Sequence, residues 1–296
     1  MKIVVTGSLG HISRPLIEKL TAAEHDVTVI SSNADRKKEI EALGAKAAIG
    51  SVSDLAFVTD TFKGADAVYT MVPPTFSASN WKQHIAGIGK IYVQAIAAAG
   101  VKNVVNLSSI GAHMPDGCGP VSGLYHVEQA LNALEGVNVK HLRPGFFFYN
   151  FFANIGMIKH MGIIGGNYGE GTRLVVADTN DIADVAAEEL LHLSFEGKSV
   201  KYIVSDEKTT DEVASIFGKA IGKPDLKWLN FTDADTIGGM LQNGVPEDVA
   251  KNYAEMGAAM RSGEMAAEYN KSRAATFGKN NLETFAPVFA AAYAQA

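Results

Sequence analysis

From Lys2 onward, short apolar runs rich in β-branched residues alternate with helix-length amphipathic segments. The runs occupy residues 3–6, 27–31, 46–49, 67–72, 103–107, 139–142 and, later, 201–204. Several are continuously apolar, with no polar residue at every second place, as expected of strands covered by helices on both faces. Between them, residues 80–99 place Trp81, Ile85, Ile88, Tyr92 and Ile96 three or four apart, a single buried stripe that closes at Gly100. Residues 181–193 repeat the pattern with Ile182, Val185, Ala186 and Leu190. Strand and helix periods in this alternation predict βαβ units, and so an α/β fold with a Rossmann-type doubly wound parallel sheet.

The rhythm breaks at the glycine-rich stretch 162–171, whose composition is that of a mobile lid or a plain surface loop. After Asp206 it gives way to mainly helical sequence, with turn signals at 222–224 and 244–246. Residues 1–150 and 178–205 are therefore expected to form the sheet domain. Residues 151–177 and 206–296 are expected to form a smaller, mainly helical substrate domain.

The 296 residues, 47% apolar and 20% charged, are ordinary for a globular chain. A net charge of −6 without a basic stripe argues against nucleic acid and for small-molecule partners. The opening MKIVVTG runs straight into a strand pattern, and no stretch approaches the 18 or so apolar residues of a membrane span, so a cytoplasmic, non-membrane protein is expected. Cys118 is the only cysteine and the eight histidines show no ligand spacing, so no disulfide and no metal are predicted. Neither a Gly-x-Ser-x-Gly elbow nor a Walker loop is present.

The first strand leads into Thr6-Gly7-Ser8-Leu9-Gly10-His11-Ile12-Ser13 and then a helical pattern. Strand, glycine turn and helix N-terminus in that order make an anion site, because free amides and the helix dipole face the turn. The diphosphate of a dinucleotide fits there. Gly7 permits the turn, Gly10 lets the backbone approach the phosphates, and Ser13 stands where a small third residue lets helix and sheet pack. Thr6, Gly7, Leu9, Gly10, His11 and Ile12 are the candidate cofactor contacts of this loop.

At the end of the second strand, where an NAD-preferring domain carries a carboxylate for the ribose 2′-hydroxyl, this chain reads Ser31-Ser32-Asn33. Arg36, Lys37 and Lys38 follow. The absence of a repelling carboxylate and the nearby cations favour NADP(H) over NAD(H), with Ser31, Ser32, Asn33 and Arg36 around the 2′-phosphate.

The spacing Gly-x-x-Gly-x-x-small resembles the short-chain dehydrogenase/reductase superfamily. With 50–54 (Gly-Ser-Val-Ser-Asp), Val72-Pro73-Pro74, Leu107-Ser108-Ser109, 142–151 (Leu-Arg-Pro-Gly-Phe-Phe-Phe-Tyr-Asn-Phe) and 181–186 it resembles the atypical, NmrA-like branch in order. Gly244-Val245-Pro246 and Leu282-Glu283-Thr284-Phe285 are similar to the quinone oxidoreductases and the dye or azo reductases of that branch. The resemblance covers nearly the whole chain. It implies that Asp54 lies near the adenine, that Val72, Pro73 and Pro74 line the dinucleotide trough, and that Ser108 belongs to the same cofactor site.

Ordinary short-chain reductases pair a Tyr with a Lys four residues on, whose charge lowers the phenol pKa from about 10. Here Tyr125 is followed at that distance by Gln129, and an amide supplies no charge. Hydride transfer needs no such acid when the acceptor stabilises the anion it becomes, as quinones, azo compounds and cationic dyes do. Tyr125 and His126 are the candidate proton donors, each with an ordinary structural alternative. Of the aromatic run at 146–152, most members are expected in the core, and Phe147 and Tyr149 in a substrate pocket. Two functions follow. The first is an NADPH-dependent reductase of quinone-like or other conjugated electrophiles. The second is a non-catalytic NAD(P)-binding redox sensor acting through a protein partner. The apolar stripe of 80–99 also offers a face for a homodimer.

Overall fold

The computed structural model describes residues 1–273 and 275–296. In chain order the first half contains β1 (Lys2–Val5), α1 (Ser13–Ala22), β2 (Asp26–Ser31), α2 (Lys37–Ala42), β3 (Lys46–Ile49), α3 (Leu55–Phe62), β4 (Ala67–Thr70), α4 (Trp81–Ala99), β5 (Asn103–Leu107), α5 (Pro120–Asn132) and β6 (Asn138–Pro144). Then come β7 (Phe146–Phe147), α6 (Ile155–Met161), β8 (Ile164–Gly166), β9 (Arg173–Ala177), α7 (Thr179–His192), β10 (Lys198–Val204), β11 (Asp206–Thr209) and α8 (Thr210–Ala220). The chain finishes with β12 (Trp228–Asn230), α9 (Asp233–Gln242), α10 (Glu247–Ser262), α11 (Ala267–Ser272), β13 (Ala275–Phe277) and α12 (Leu282–Gln295).

The expected strands are all present, those at 46–49 and 103–107 with the expected bounds and the others with shifted ends. The run at 67–72 stops as a strand at Thr70, short of Pro73 and Pro74, whose ring nitrogens cannot donate to a ladder. The last one begins at Lys198, earlier than its apolar part. The helix expected at 80–99 is α4, with the Asn80 side chain accepting from the Gln83 amide at one end and Gly100 left-handed at the other. Its stripe of Trp81, Ile85, Ile88, Tyr92 and Ile96 is buried within the protein.

The chain divides into two compact units. One comprises Met1–Ser109, Gly123–Arg143 and Ile182–Lys201; the other Ile110–Ser122, Pro144–Asp181 and Tyr202–Ala296. These boundaries differ from the expected ones chiefly at 110–122 and 144–150. The first of these stretches belongs with the second unit because a β-carbon on Gly119 would collide with Asn252 of α10, so close is the backbone there.

In the first unit the strands run in the order β10-β6-β5-β4-β1-β2-β3. The pairs β1–β2, β2–β3, β1–β4, β4–β5 and β5–β6 are parallel, with Val5 opposite both Val29 and Tyr69. Ile3, Val4, Val5, Val29, Val68 and Val104 are almost fully buried, as strands sandwiched between helices require. The order reverses at β1, so its carboxyl end opens on the crevice where such sheets take ligands. This is a Rossmann-type doubly wound sheet.

The second unit is built on β9, which pairs antiparallel with β11 and parallel with β7. Its helices α8 and α12 both open on capping boxes, Thr209 with Glu212 and Asn281 with Thr284. The end of β10, Tyr202 to Val204, pairs with β13 inside this unit. The glycine-rich stretch is anchored and not free as a lid. Asn167, 1% exposed, donates to Asp233 Oδ1 (2.8 Å) and to the Ala254 carbonyl (2.7 Å). Tyr168 packs its ring on Phe146 and Trp228. Among the described residues no helix is long and apolar enough to cross a membrane.

Candidate functional site

The first unit concentrates its predicted cofactor residues at the carboxyl ends of β1, β2, β4 and β5. Thr6, buried just past β1, ties two of these ends together: its amide donates to the Tyr69 carbonyl (3.0 Å), and its hydroxyl accepts from the Met71 amide (2.8 Å). Tyr92 from α4 donates to the Met71 carbonyl (2.7 Å) and holds the same corner from below.

Gly7 has φ +94°, and a β-carbon there would fall 2.5 Å from Ser13 Oγ and 2.9 Å from Met71 Cγ. Both conformation and space demand glycine. Ser13 is the small residue that fits beneath it, 3% exposed and donating to the Thr6 carbonyl (3.0 Å). Ser8 is left-handed at φ 53°, an uncommon conformation for a residue with a side chain, and two bonds hold it there. Its amide donates to the Ile30 carbonyl (3.1 Å) and its hydroxyl to Ser31 Oγ (2.9 Å), so the loop is fastened to the end of β2. The turn closes with the Gly10 amide donating to the Gly7 carbonyl (3.2 Å). The amides of Leu9 and Ile12 find no acceptor among the described residues. They lie beside the N-terminus of α1, which has no side-chain cap and no acidic residue in its first turn, so both the donors and the dipole are left for an anion.

At the end of β2, Ser31 is buried and exchanges bonds with the Asn33 backbone at 3.2 Å, while Asn33 caps the following turn through the Asp35 amide (2.9 Å). Ser32 and Asn33 are exposed. Arg36 reaches Glu39 (2.7 Å), and Arg14 from the first turns of α1 reaches the other oxygen of the same carboxylate (2.5 Å). Arg14, and after it Arg36, hold the Glu39 carboxyl below the usual carboxylate range. Sequence reasoning named Arg36 but missed Arg14 and Glu39, although Arg14 directly follows the glycine motif. Asp54 is exposed and caps α3 through the Phe57 amide (3.1 Å). Val72 and Pro73 are half-buried just past β4.

Ser108, just past β5, is 3% exposed, and its hydroxyl donates to Glu128 Oε1 (2.5 Å). Glu128 in turn takes Arg143 in a fork, Nε to Oε1 at 3.0 Å and Nη2 to Oε2 at 2.6 Å. Beside this group a second buried chain crosses the sheet. Thr70 donates to Asn106, the Asn106 amide to His141 Nδ1 (3.1 Å), and His141 Nε2 meets Asn132 Oδ1 (3.0 Å). Burial, with help from Arg143 and Lys198 and against Glu128, presses the His141 pKa down to about 4, so the ring is neutral. Neither network was anticipated, because their members are far apart in sequence.

Tyr125 is half-buried and His126 exposed in the middle of α5, their rings edge to face with centroids 5.2 Å apart. Gln129 is exposed one turn later. In the second unit Phe148 and Phe151 are core residues, and Phe147 and Tyr149 are half-exposed, Tyr149 against Phe152 and Phe285. That unit also contains a cavity of about 320 Å³. Phe146 lines it; Phe147 and Tyr149 do not.

Comparison with known proteins agrees with this architecture. An azoreductase of Xenophilus azovorans that uses NAD(P)H is 24% identical over 254 residues, 86% of this chain and 85% of that one. A (4-alkanoyl-5-oxo-2,5-dihydrofuran-3-yl)methyl phosphate reductase of Streptomyces griseus is 23% identical, over 89% of each chain. Among solved structures, an NADPH-dependent quinone oxidoreductase from Escherichia coli in complex with NADPH superposes with TM-score 0.80 and 23% identity, covering 96% of this chain and 98% of that one. Triphenylmethane reductase of a Citrobacter species, complexed with NADP(H), gives TM-score 0.78 at 22% identity, covering 97% and 99%. At these identities the structural likeness is one of fold. The NmrA-like family model matches residues 1–273, and the chain belongs to the NmrA-like family.

Proposed function

We propose that this protein is an NADPH-dependent reductase of quinone-like or other conjugated electrophiles. The observation that carries the reading is the loop after β1, where Gly7 is crowded into its turn and the Leu9 and Ile12 amides lie without acceptors among the described residues beside an uncapped helix start. A diphosphate suits that chemistry. The names of the relatives, reductases that use NAD(P)H, support it. NADP(H) is favoured over NAD(H) because no carboxylate follows β2 directly and Arg14 and Arg36 stand together beyond it. A 2′-phosphate would compete with Glu39 for them.

When bound, the reduced nicotinamide supplies a hydride, and a proton from solvent or a side chain completes the reduction of a quinone to its quinol. The chain's part is to orient and to hold. Thr6, Gly7 and Ser8 fix the loop, Val72 and Pro73 border the trough, and Ser31 with Asn33 shapes the adenosine end. In this reading Tyr125 and His126 hand over the proton, and without a Lys beside them they act on acceptors that already tolerate charge. Ser108 serves through Glu128 and not by donating to the substrate.

The test is loss of nicotinamide absorbance with a panel of quinones and azo dyes. Turnover is expected with at least one, and it disappears in Gly10→Val. Tight NADPH binding without turnover across the panel would overturn the reductase reading in favour of a redox sensor.

A further inference from the structure

The cavity of the second unit is at the lower end of the range of small-ligand sites, about 300–1,000 Å³, so it suits a molecule of one or two rings. Its lining is mixed, with Thr172, Ser262 and Asn270 beside charged groups, and its apolar part is fixed by its surroundings. Phe146, 8% exposed, is wedged edge to face between Phe151 (5.3 Å) and Tyr168 (5.8 Å), which sets the plane of its ring. Ile110, Leu174, Met260 and Met265 add aliphatic and thioether surface that adapts to a flat ring. In sequence, Ile110 follows Ser108 and Ser109 without a break, and Phe146 follows β6 by a single glycine.

The polar groups at the cavity differ in one respect. Glu207 is already matched, accepting from the Tyr269 hydroxyl (2.7 Å) and paired with Arg273 (2.8 Å). Arg261 is matched too, with Asp233 at 3.0 Å and the Asn167 carbonyl at 2.5 Å. Arg173, at the start of β9, has neither an ion pair nor a side-chain hydrogen bond among the described residues. Glu212, a carboxylate that feels its charge, is taken up by the capping box with Thr209. Arg173 is exposed at the start of its strand, so the cavity presents apolar walls and, on the solvent side, a guanidinium bonded to no side chain among the described residues, a planar fork that matches carboxylate or sulfonate.

We propose that this cavity receives the acceptor and selects conjugated molecules of one or two rings that carry an anionic substituent, held by Arg173. The inference rests on the reductase reading for its catalytic meaning, but the binding it describes belongs to the second unit alone.

The experiment uses the full-length protein without cofactor and two probes that cannot be reduced, naphthalene-2-sulfonate and 2-naphthol, titrated by calorimetry. The sulfonate is expected to bind about tenfold more tightly, the equivalent of about 1.4 kcal/mol. Arg173→Gln removes that preference and leaves 2-naphthol unchanged, and Arg173→Lys restores part of it. Ala266→Phe, which fills the cavity, weakens both probes without altering NADPH affinity. In turnover, Arg173→Gln raises KM for a sulfonated naphthoquinone and leaves kcat and the KM of the unsubstituted quinone alone. Equal affinity for the two probes, no binding of either, or insensitivity to Arg173→Gln overturns the proposal. Failure of NADPH to bind would instead overturn the reductase reading and leave the probe titration intact.

Discussion

The first unit contains two clusters of arginine on glutamate that are chemically alike and physically opposite. In one, Glu128 and Arg143 form a two-bond fork with side chains 1% and 8% exposed. In the other, Glu39 lies between Arg14 and Arg36 with exposures of 36%, 43% and 48%. Water decides what each can do. The buried pair has lost its hydration, and each partner holds the other, with Ser108 also on Glu128, so removing either one is costly. The exposed cluster gains little from any one contact, because solvent screens it, and its cations can exchange a carboxylate for a ligand phosphate. One cluster is a fixture of the fold and the other a place where something else can bind.

The hardest test of that contrast is Glu128→Gln. It should cost about 3–5 kcal/mol in urea unfolding, since the buried Arg143 loses the carboxylate that it holds by two bonds. Replacing both partners by apolar residues of similar volume should recover most of the loss. A cost below about 1 kcal/mol for the single change would mean that the buried pair behaves like a surface one and would break the comparison. Ser108→Ala comes next. It removes a hydrogen bond to a buried carboxylate and should cost about 2 kcal/mol, with NADPH affinity unchanged.

The neighbouring His141 sharpens the comparison through pH. Its folded pKa, about 4, lies below the value of about 6.5 expected unfolded. The stabilisation from its burial is complete above the unfolded value, declines as the pH falls between the two, and is gone below the folded value. Stability should therefore drop by about 2 kcal/mol from pH 6.5 to 5, and His141→Gln should flatten that slope. A stability profile that is flat across this window in the unaltered protein would contradict a neutral, buried ring. The smallest effect belongs to the exposed cluster. Arg36→Ala should leave the thermal midpoint where it is and weaken NADPH by about tenfold while sparing NADH. Equal weakening of the two coenzymes would remove Arg36 from the 2′-phosphate.

The same contrast explains what could be read from the chain before its structure. The glycine loop was legible because its logic is local: Gly7, Gly10 and Ser13 work within a single turn, and their spacing is the geometry. The strands were legible for the same reason, apart from ends set by neighbours such as Pro73. The Glu128–Arg143 fork was not, since its members lie on a helix and a strand and only the fold brings them together. Arg14 was visible as a residue but not as a partner, because its role depends on Glu39 from another helix. The glycine-rich stretch suggested a lid or a plain surface loop by composition, yet one asparagine, Asn167, anchors it through acceptors that follow it by 66 and 87 residues.

The division of the chain has a bearing on how the molecule is made. Each compact unit is assembled from three separate stretches, and the first is not complete until Lys201 has been added. A ribosome working at 5–20 residues per second would need roughly 10–40 s to deliver that much polypeptide. During that interval β1 to β6 wait for an outer strand, so chaperone engagement of nascent chains should fall off once translation passes β10.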